Sequence, residues 1–133
     1  MDNCIFCKII KGDIPSYKIY EDEWTYAFLD IAKDAVGHTV VVSKKHVNNI
    51  LDADEETLAK VMFAISKISN HYVNACGYDG VNILNNNNEA AEQSVMHLHF
   101  HIIPRRNNDN IKVFPELNNC NEELEQTHQK LKM

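Results

Sequence analysis

No apolar run in the sequence approaches the ~20 residues that a membrane-spanning helix needs, and its start, MDNCIFCKII, has no basic stretch leading into a long apolar core. Neither a transmembrane helix nor a secretory leader is expected, and the chain reads as a cytoplasmic protein. Positive charge is also scarce: 13 Lys and Arg stand against 19 Asp and Glu, a net charge of -6, and the acids are scattered apart from Asp52-Ala53-Asp54-Glu55-Glu56. Without a basic face, stable binding of long nucleic acid is not expected, whereas a small anion held by local donors remains open. There is no internal repeat, which argues against a solenoid. Cysteine occurs four times, as Cys4, Cys7, Cys76 and Cys120, and in a chain without a leader these read as thiols or ligands rather than disulfides. What is present, 133 residues with 44% hydrophobic content, supplies one ordinary core and one domain.

The apolar pattern alternates between strand and helix periods. Cys4 to Ile10 is a short apolar run stopped by Gly12 and Pro15, a brief helix and turn. Lys18 to Glu21 and Trp24 to Asp30, separated by a polar turn, form a hairpin, and His38 to Ser43 after Gly37 is a β-branched central strand. Asp52 with Glu55 resembles a capping box, and Leu58, Val61, Met62, Ile65, Ile68 and Tyr72 recur at helical spacing up to Cys76-Gly77, so a long amphipathic helix is expected there. Gly80 to Asn85 is a further strand, Asn85 to Asn88 a turn, and Glu122 to Lys132 a terminal helix after an Asn-rich stretch.

The last strand carries the strongest signal. In MHLHFHIIPR, alternation places His97, His99 and His101 on one face and Met96, Leu98, Phe100 and Ile102 on the other, with Pro104 ending the strand. The outer histidines lie roughly 13 Å apart along such a strand, while a metal–nitrogen bond spans about 2 Å, so three imidazoles on one metal are not expected. One metal could take one or two of them. The simpler alternative is a surface strand with solvated histidines.

Two further clusters bear chemistry. Cys4-Ile5-Phe6-Cys7 has the spacing of half a zinc site, with His46 and His97 as candidate partners, although two buried free thiols would give the same pattern. Ahead of the histidine strand, backbone amides around Gln93-Ser94-Val95, the Ser94 hydroxyl and the Asn86 amide could hold phosphate oxygens while a neutral imidazole attacks phosphorus. With an ordinary pKa near 6.5, roughly three quarters of such a histidine is neutral at pH 7, so no metal is required for the chemistry itself.

The run His97 to Ile103 resembles the His-φ-His-φ-His-φ-φ signature of the histidine triad (HIT) superfamily of nucleotide hydrolases and transferases. CIFCKIIKGDIPS, AFLDI, GHTVVVSKKH, GVNILNNN and EQSVMHLHFHIIPR fall in the family's order and extend the resemblance over roughly residues 4 to 106. It implies an α+β HIT-like fold: an antiparallel five-stranded sheet, a long amphipathic helix and a short N-terminal helix. Residues 1–106 would form the HIT domain and 107–133 a tail packed on it or on a dimer partner. The resemblance further implies cleavage of a purine nucleoside phosphoramidate or related conjugate through a nucleotidyl-histidine intermediate, with His99 as nucleophile. His101 and His38 would flank the phosphate or shuttle protons, and Ser94 with Asn86 would position oxygens and leaving group. Asp30 would accept ribose hydroxyls, and Ile5, Phe6, Ile9, Phe28, Leu29, Ile31 and Val40 would surround the purine. The CxxC pair resembles that of members whose zinc is held by both cysteines, the histidine after Lys-Lys and the first triad histidine, here Cys4, Cys7, His46 and His97. A homodimer is implied as well. Dinucleoside polyphosphate hydrolysis is the alternative reaction, and a nucleotide-binding, zinc-stabilised interaction module the alternative class. Asn88 and Glu92 stand where the family usually has glycine; Glu92 would weaken anion binding if it pointed inward.

Overall fold

The β-branched run Thr39-Val40-Val41-Val42 makes β3 (Thr39–Ser43), a strand buried along its whole length. Its residues alternate between two layers. Val41 joins Ala27, Leu98, Phe100 and Ile102 under the long helix, while Val40 and Val42 join Phe6, Ile9, Tyr26 and Phe28 on the opposite side. The computed structural model describes residues 3–114 and 116–133. Around β3 lie β1 (Lys18–Glu21), β2 (Thr25–Leu29), β4 (Gly80–Leu84) and β5 (His99–Arg105), in the order β1-β2-β3-β5-β4 with every pairing antiparallel. Helix α2 (Glu55–Asn74) covers one face through Val61, Ala64, Ile65, Ile68 and Tyr72. Helix α1 (Ile5–Lys11) covers part of the other through Phe6 and Ile9. The fold implied by the resemblance is therefore present: one five-stranded antiparallel sheet, a long helix and a short N-terminal helix.

Several local expectations need correction. Asp52 does not cap α2. Asp54 is the N-cap, its carboxylate accepting from the Thr57 hydroxyl, while Asp52 accepts the Asn48 and Asn49 amides and closes the preceding turn. Met62, counted in the apolar stripe, is 49% exposed, and so is Phe63 at 67%. The histidine strand begins at His99, because the Leu98 amide that would extend the ladder to Ser43 instead donates to the Val47 carbonyl at 2.8 Å, and the Ser43 carbonyl accepts from the His97 ring at 2.6 Å. Met96 lies outside it and is exposed. Pro104 does not end β5: the strand continues to Arg105, with Pro104 opposite Val81. The β3 pairing stops at Thr39 opposite Ile102, so the proline nitrogen, facing that side, has no ladder bond to lose. Gly37 passes close by; a Cβ there would meet the Pro104 ring at 3.0 Å, and its φ of +82° is one that glycine adopts without strain.

The terminal helix α3 (Leu124–Leu131) buries none of its residues, and Leu124 and Leu131 are exposed. The start of the tail is tied down by Asp109, which accepts from Arg105 and from the Arg106 amide. No described helix is long and apolar enough to cross a membrane.

Candidate active site and metal centre

Helix α1 is capped by Cys4, whose sulfur accepts the Cys7 amide at 3.4 Å, so the N-terminal turn itself brings the two thiols together. Opposite them stand His46, just beyond β3, and His97, just ahead of β5. Cys4 Sγ lies 3.2 Å from His97 Nδ1, and Cys7 Sγ lies 3.3 Å from His46 Nδ1 and 3.6 Å from His97 Nδ1. The four donor atoms fall within 4.8 Å of one another. Ligands on a tetrahedral zinc with bonds of 2.0–2.3 Å are separated by about 3.3–3.8 Å, and these spacings fit that figure. The His97 ring is fully buried and donates its Nε2 proton to the Ser43 carbonyl, which leaves the Nδ1 lone pair facing the thiols.

The second triad histidine is oriented by the first residue's backbone. His99 Nδ1 donates to the His97 carbonyl at 2.7 Å, so Nε2 carries the free lone pair. The ring is buried and packs against the Phe6 edge at a centroid distance of 5.0 Å. Burial pushes its pKa below the ordinary histidine value, keeping it neutral. The third, His101, is paired with His38: His38 Nδ1 lies 2.7 Å from Asp34 Oδ1, and His38 Nε2 lies 2.8 Å from His101 Nδ1. With Asp34 accepting from His38, the neutral chain runs from His101 Nδ1–H to His38 and from His38 Nδ1–H to Asp34. Burial, with His99 and His38 beside it, lowers the pKa of His101 to about 4.

His99 and His101 line a cleft of about 590 Å³, within the usual range for a small-molecule site. It is lined by Ile5, Phe6, Ile9, Phe28, Leu29, Asp30, Ile31, Val40, Ser94, Val95, His99 and His101, residues that come from separate parts of the chain. Three of the expected residues are elsewhere. His38 sits behind His101, on the adjoining cleft. Asn86 is exposed and is not in the cleft lining. Gln93 is buried, its amide nitrogen donating to the Asn48 and Val95 carbonyls and its oxygen accepting from the Asn88 amide and Asn49 side chain. Gln93 therefore braces the loop, and its own N–H is spent on the Asn88 carbonyl. Glu92 is exposed at φ 66° and does not line the cleft.

Sequence reasoning missed the Ile14-Pro15-Ser16-Tyr17 segment, which forms part of the cleft wall after the α1 turn at Gly12. It also missed Asp34 and Asn49, polar residues in loops whose partners lie far away in the chain or across a turn. The asparagine run has more purpose than a polar turn. Asn85 donates to the His99 carbonyl, Asn87 accepts the Ile50 amide, and Asn88 accepts from Asn49, fastening the loop to β5 and to the segment before α2.

An antiparallel sheet with three alternate histidines along one chain segment, of which His99 and His101 line an apolar cleft with Asp30 while His97 turns to the cysteines, defines a histidine-triad domain. The family model described as the HIT domain matches residues 11–108, and the chain belongs to that family. It is 50% identical over 104 residues to Protein hit of Bacillus subtilis, spanning 78% of this chain and 72% of that one. It is 41% identical over 107 residues to an adenosine 5'-monophosphoramidase of Schizosaccharomyces pombe, spanning 80% and 77%. A Zn-bound histidine triad family protein from Mycobacterium smegmatis has the same fold, with a TM-score of 0.80, 36% identity, and coverage of 88% of this chain and 85% of that chain.

Proposed function

We propose that the protein is a nucleotide hydrolase that cleaves purine nucleoside phosphoramidates through a nucleotidyl-His99 intermediate. The observation that carries this reading is the orientation of His99: its Nδ1 proton is bound by the His97 carbonyl, so the basic Nε2 is left free in a ring that lines the cleft. The kinship with a phosphoramidase supports the choice of bond.

In the first step His99 Nε2 bonds to the α-phosphorus and the phosphorus–nitrogen bond breaks, with the amine leaving after it gains a proton. That proton would come from solvent through His101, with the His38–Asp34 pair behind it holding the charge that passes. As positive charge develops on the His99 ring, the His97 carbonyl stabilises it by accepting the Nδ1 proton more strongly. Water then attacks the phosphorus, breaks the bond to Nε2, and releases the nucleoside monophosphate. Ser94 would hold phosphate oxygens, Asp30 the ribose hydroxyls, and Phe6, Phe28, Ile9 and Val40 the base.

Zinc belongs to this reading through Cys4, Cys7, His46 and His97. Bound there, the ion would supply rigidity: it would fix the His97 ring, and with it the carbonyl that orients His99. Two copies would pair through the open β4 edge and the exposed Met62 and Phe63 of α2, completing a homodimer. Dinucleoside polyphosphate hydrolysis is the alternative reaction for the same nucleophile, and relative turnover of the two substrates separates them.

The test is mass spectrometry after brief incubation with adenosine phosphoramidate. A nucleotidyl adduct on the peptide holding His97 to His101, absent in His99→Gly, is the expected result. Nucleotide that binds without any trappable adduct, and full hydrolysis by His99→Gly, would overturn the mechanism and favour the binding-module alternative.

A further inference from the structure

A second group of donor atoms lies at the cleft, apart from the cysteine cluster: Asp30, His38 and His101 come within 4.8 Å of one another. His38 Nε2 is 2.8 Å from His101 Nδ1 and 3.7 Å from Asp30 Oδ2. Ligands on a divalent metal with bonds of 2.0–2.1 Å are separated by about 2.9–3.4 Å, so small side-chain shifts bring these three atoms to one ion. Two further observations favour such an ion. The Asp34 carboxylate accepts from His38 Nδ1 at 2.7 Å, which is the outer-shell bond that fixes a metal-binding imidazole with its Nε2 lone pair inward. The Ala32 amide occupies Asp30 Oδ1, leaving Oδ2 turned toward His38.

We propose that Asp30, His38 and His101 form a second, reversible site for a divalent transition-metal ion, and that this ion competes with nucleotide for the cleft. Two imidazoles and one carboxylate suit zinc and its neighbours better than calcium or magnesium, which favour all-oxygen shells. Three protein ligands also leave one or more positions for water, so the site is open and exchangeable rather than closed like a structural one. Binding requires the proton on His101 Nδ1 to move to Nε2, a change of tautomer with no net proton release. The competition clause rests on the nucleotide reading above; the metal site does not. A histidine pair held by a cation could neither move a proton nor receive a phosphate, so an ion bound here would restrain the proposed turnover.

The experiment titrates Co²⁺ into the full chain already carrying one zinc per chain, following cobalt absorption with and without AMP. One further cobalt per chain is expected, with ligand-field bands but no thiolate charge-transfer absorption. Asp30→Asn and the more exposed Asp34→Ala should each weaken it about tenfold or more while the first zinc is retained. Saturating AMP should raise the cobalt concentration needed by a similar factor. No second equivalent, a second equivalent with thiolate charge transfer, or one that both variants leave unchanged would overturn the site. Cobalt binding that passes those criteria but ignores AMP would overturn the competition alone.

Discussion

At the scale of single residues, three histidines of the same chemistry are separated by what each ring nitrogen touches. His97 gives one nitrogen to the Ser43 carbonyl and the other to the thiols; His99 gives one to the His97 carbonyl and keeps one free; His101 is drawn to His38. Alternation in the sequence places the rings on one face but says nothing of these partners, because carbonyls and loop carboxylates carry no sequence signature. The consequence for pH can be worked out at His101. Its pKa is lowered to about 4 in the fold, first by burial, against about 6.5 in the unfolded chain. Between those values the unfolded state binds the additional proton, so the stability contribution is complete above pH 6.5 and is lost as pH falls toward 4. Urea unfolding at pH 7.5 and pH 5 should therefore show a smaller loss in His101→Gln than in the wild type. Equal losses would mean that the ring takes up its proton in the fold as readily as in the unfolded chain.

Among elements, α1 and its cap meet the segment ahead of β5 where Cys4, Cys7 and Phe6 approach His97 and where Val95 joins the Phe6–Ile9 cluster. The CxxC spacing is legible as half a metal site, since a helical N-terminus brings such a pair to one side; the partners His46 and His97 come from the two strands at the same end of the antiparallel β3–β5 pairing, beyond Val42 opposite His99, and depend on its register. Elemental analysis of the purified protein should find about one zinc per chain, falling close to zero in Cys4→Ser. Loss of the ion should also lower the melting temperature, because a seven-residue helix is too short to persist unaided. A wild-type protein that is free of zinc and equally stable would remove the four residues from that role. The loop between β4 and β5 makes the complementary point. Its asparagines and Gln93 read as turn formers and phosphate ligands, yet their side chains are mostly used to fasten the loop.

Across the whole molecule, the sheet buries β3 and β5 and leaves β4 as an open edge carrying half-open Ile83, while α2 exposes Met62 and Phe63. Apolar side chains of this size beside unpaired strand edges are usually covered. The double variant Met62→Glu with Phe63→Glu should turn a dimer into a monomer by light scattering, with the far-ultraviolet spectrum preserved, because neither side chain is in the core. A wild-type monomer at high concentration would refute the pairing. The exposed leucines of α3 have no cover among the described residues either, and the terminal helix expected over Glu122 to Lys132 is found at Leu124–Leu131.

Sequence by itself determined the family, the sheet's hydrophobic alternation, the long helix and the identity of most cleft residues, because each is a local pattern or a motif with fixed spacing. Tertiary structure decided which nitrogen of each histidine is free, that Gln93 braces rather than lines the cleft, that Pro104 sits within β5, and that Asp34 stands behind His38. Those four outcomes depend on hydrogen-bond partners delivered by distant backbone or by loop geometry. Local sequence has no period or spacing that encodes them.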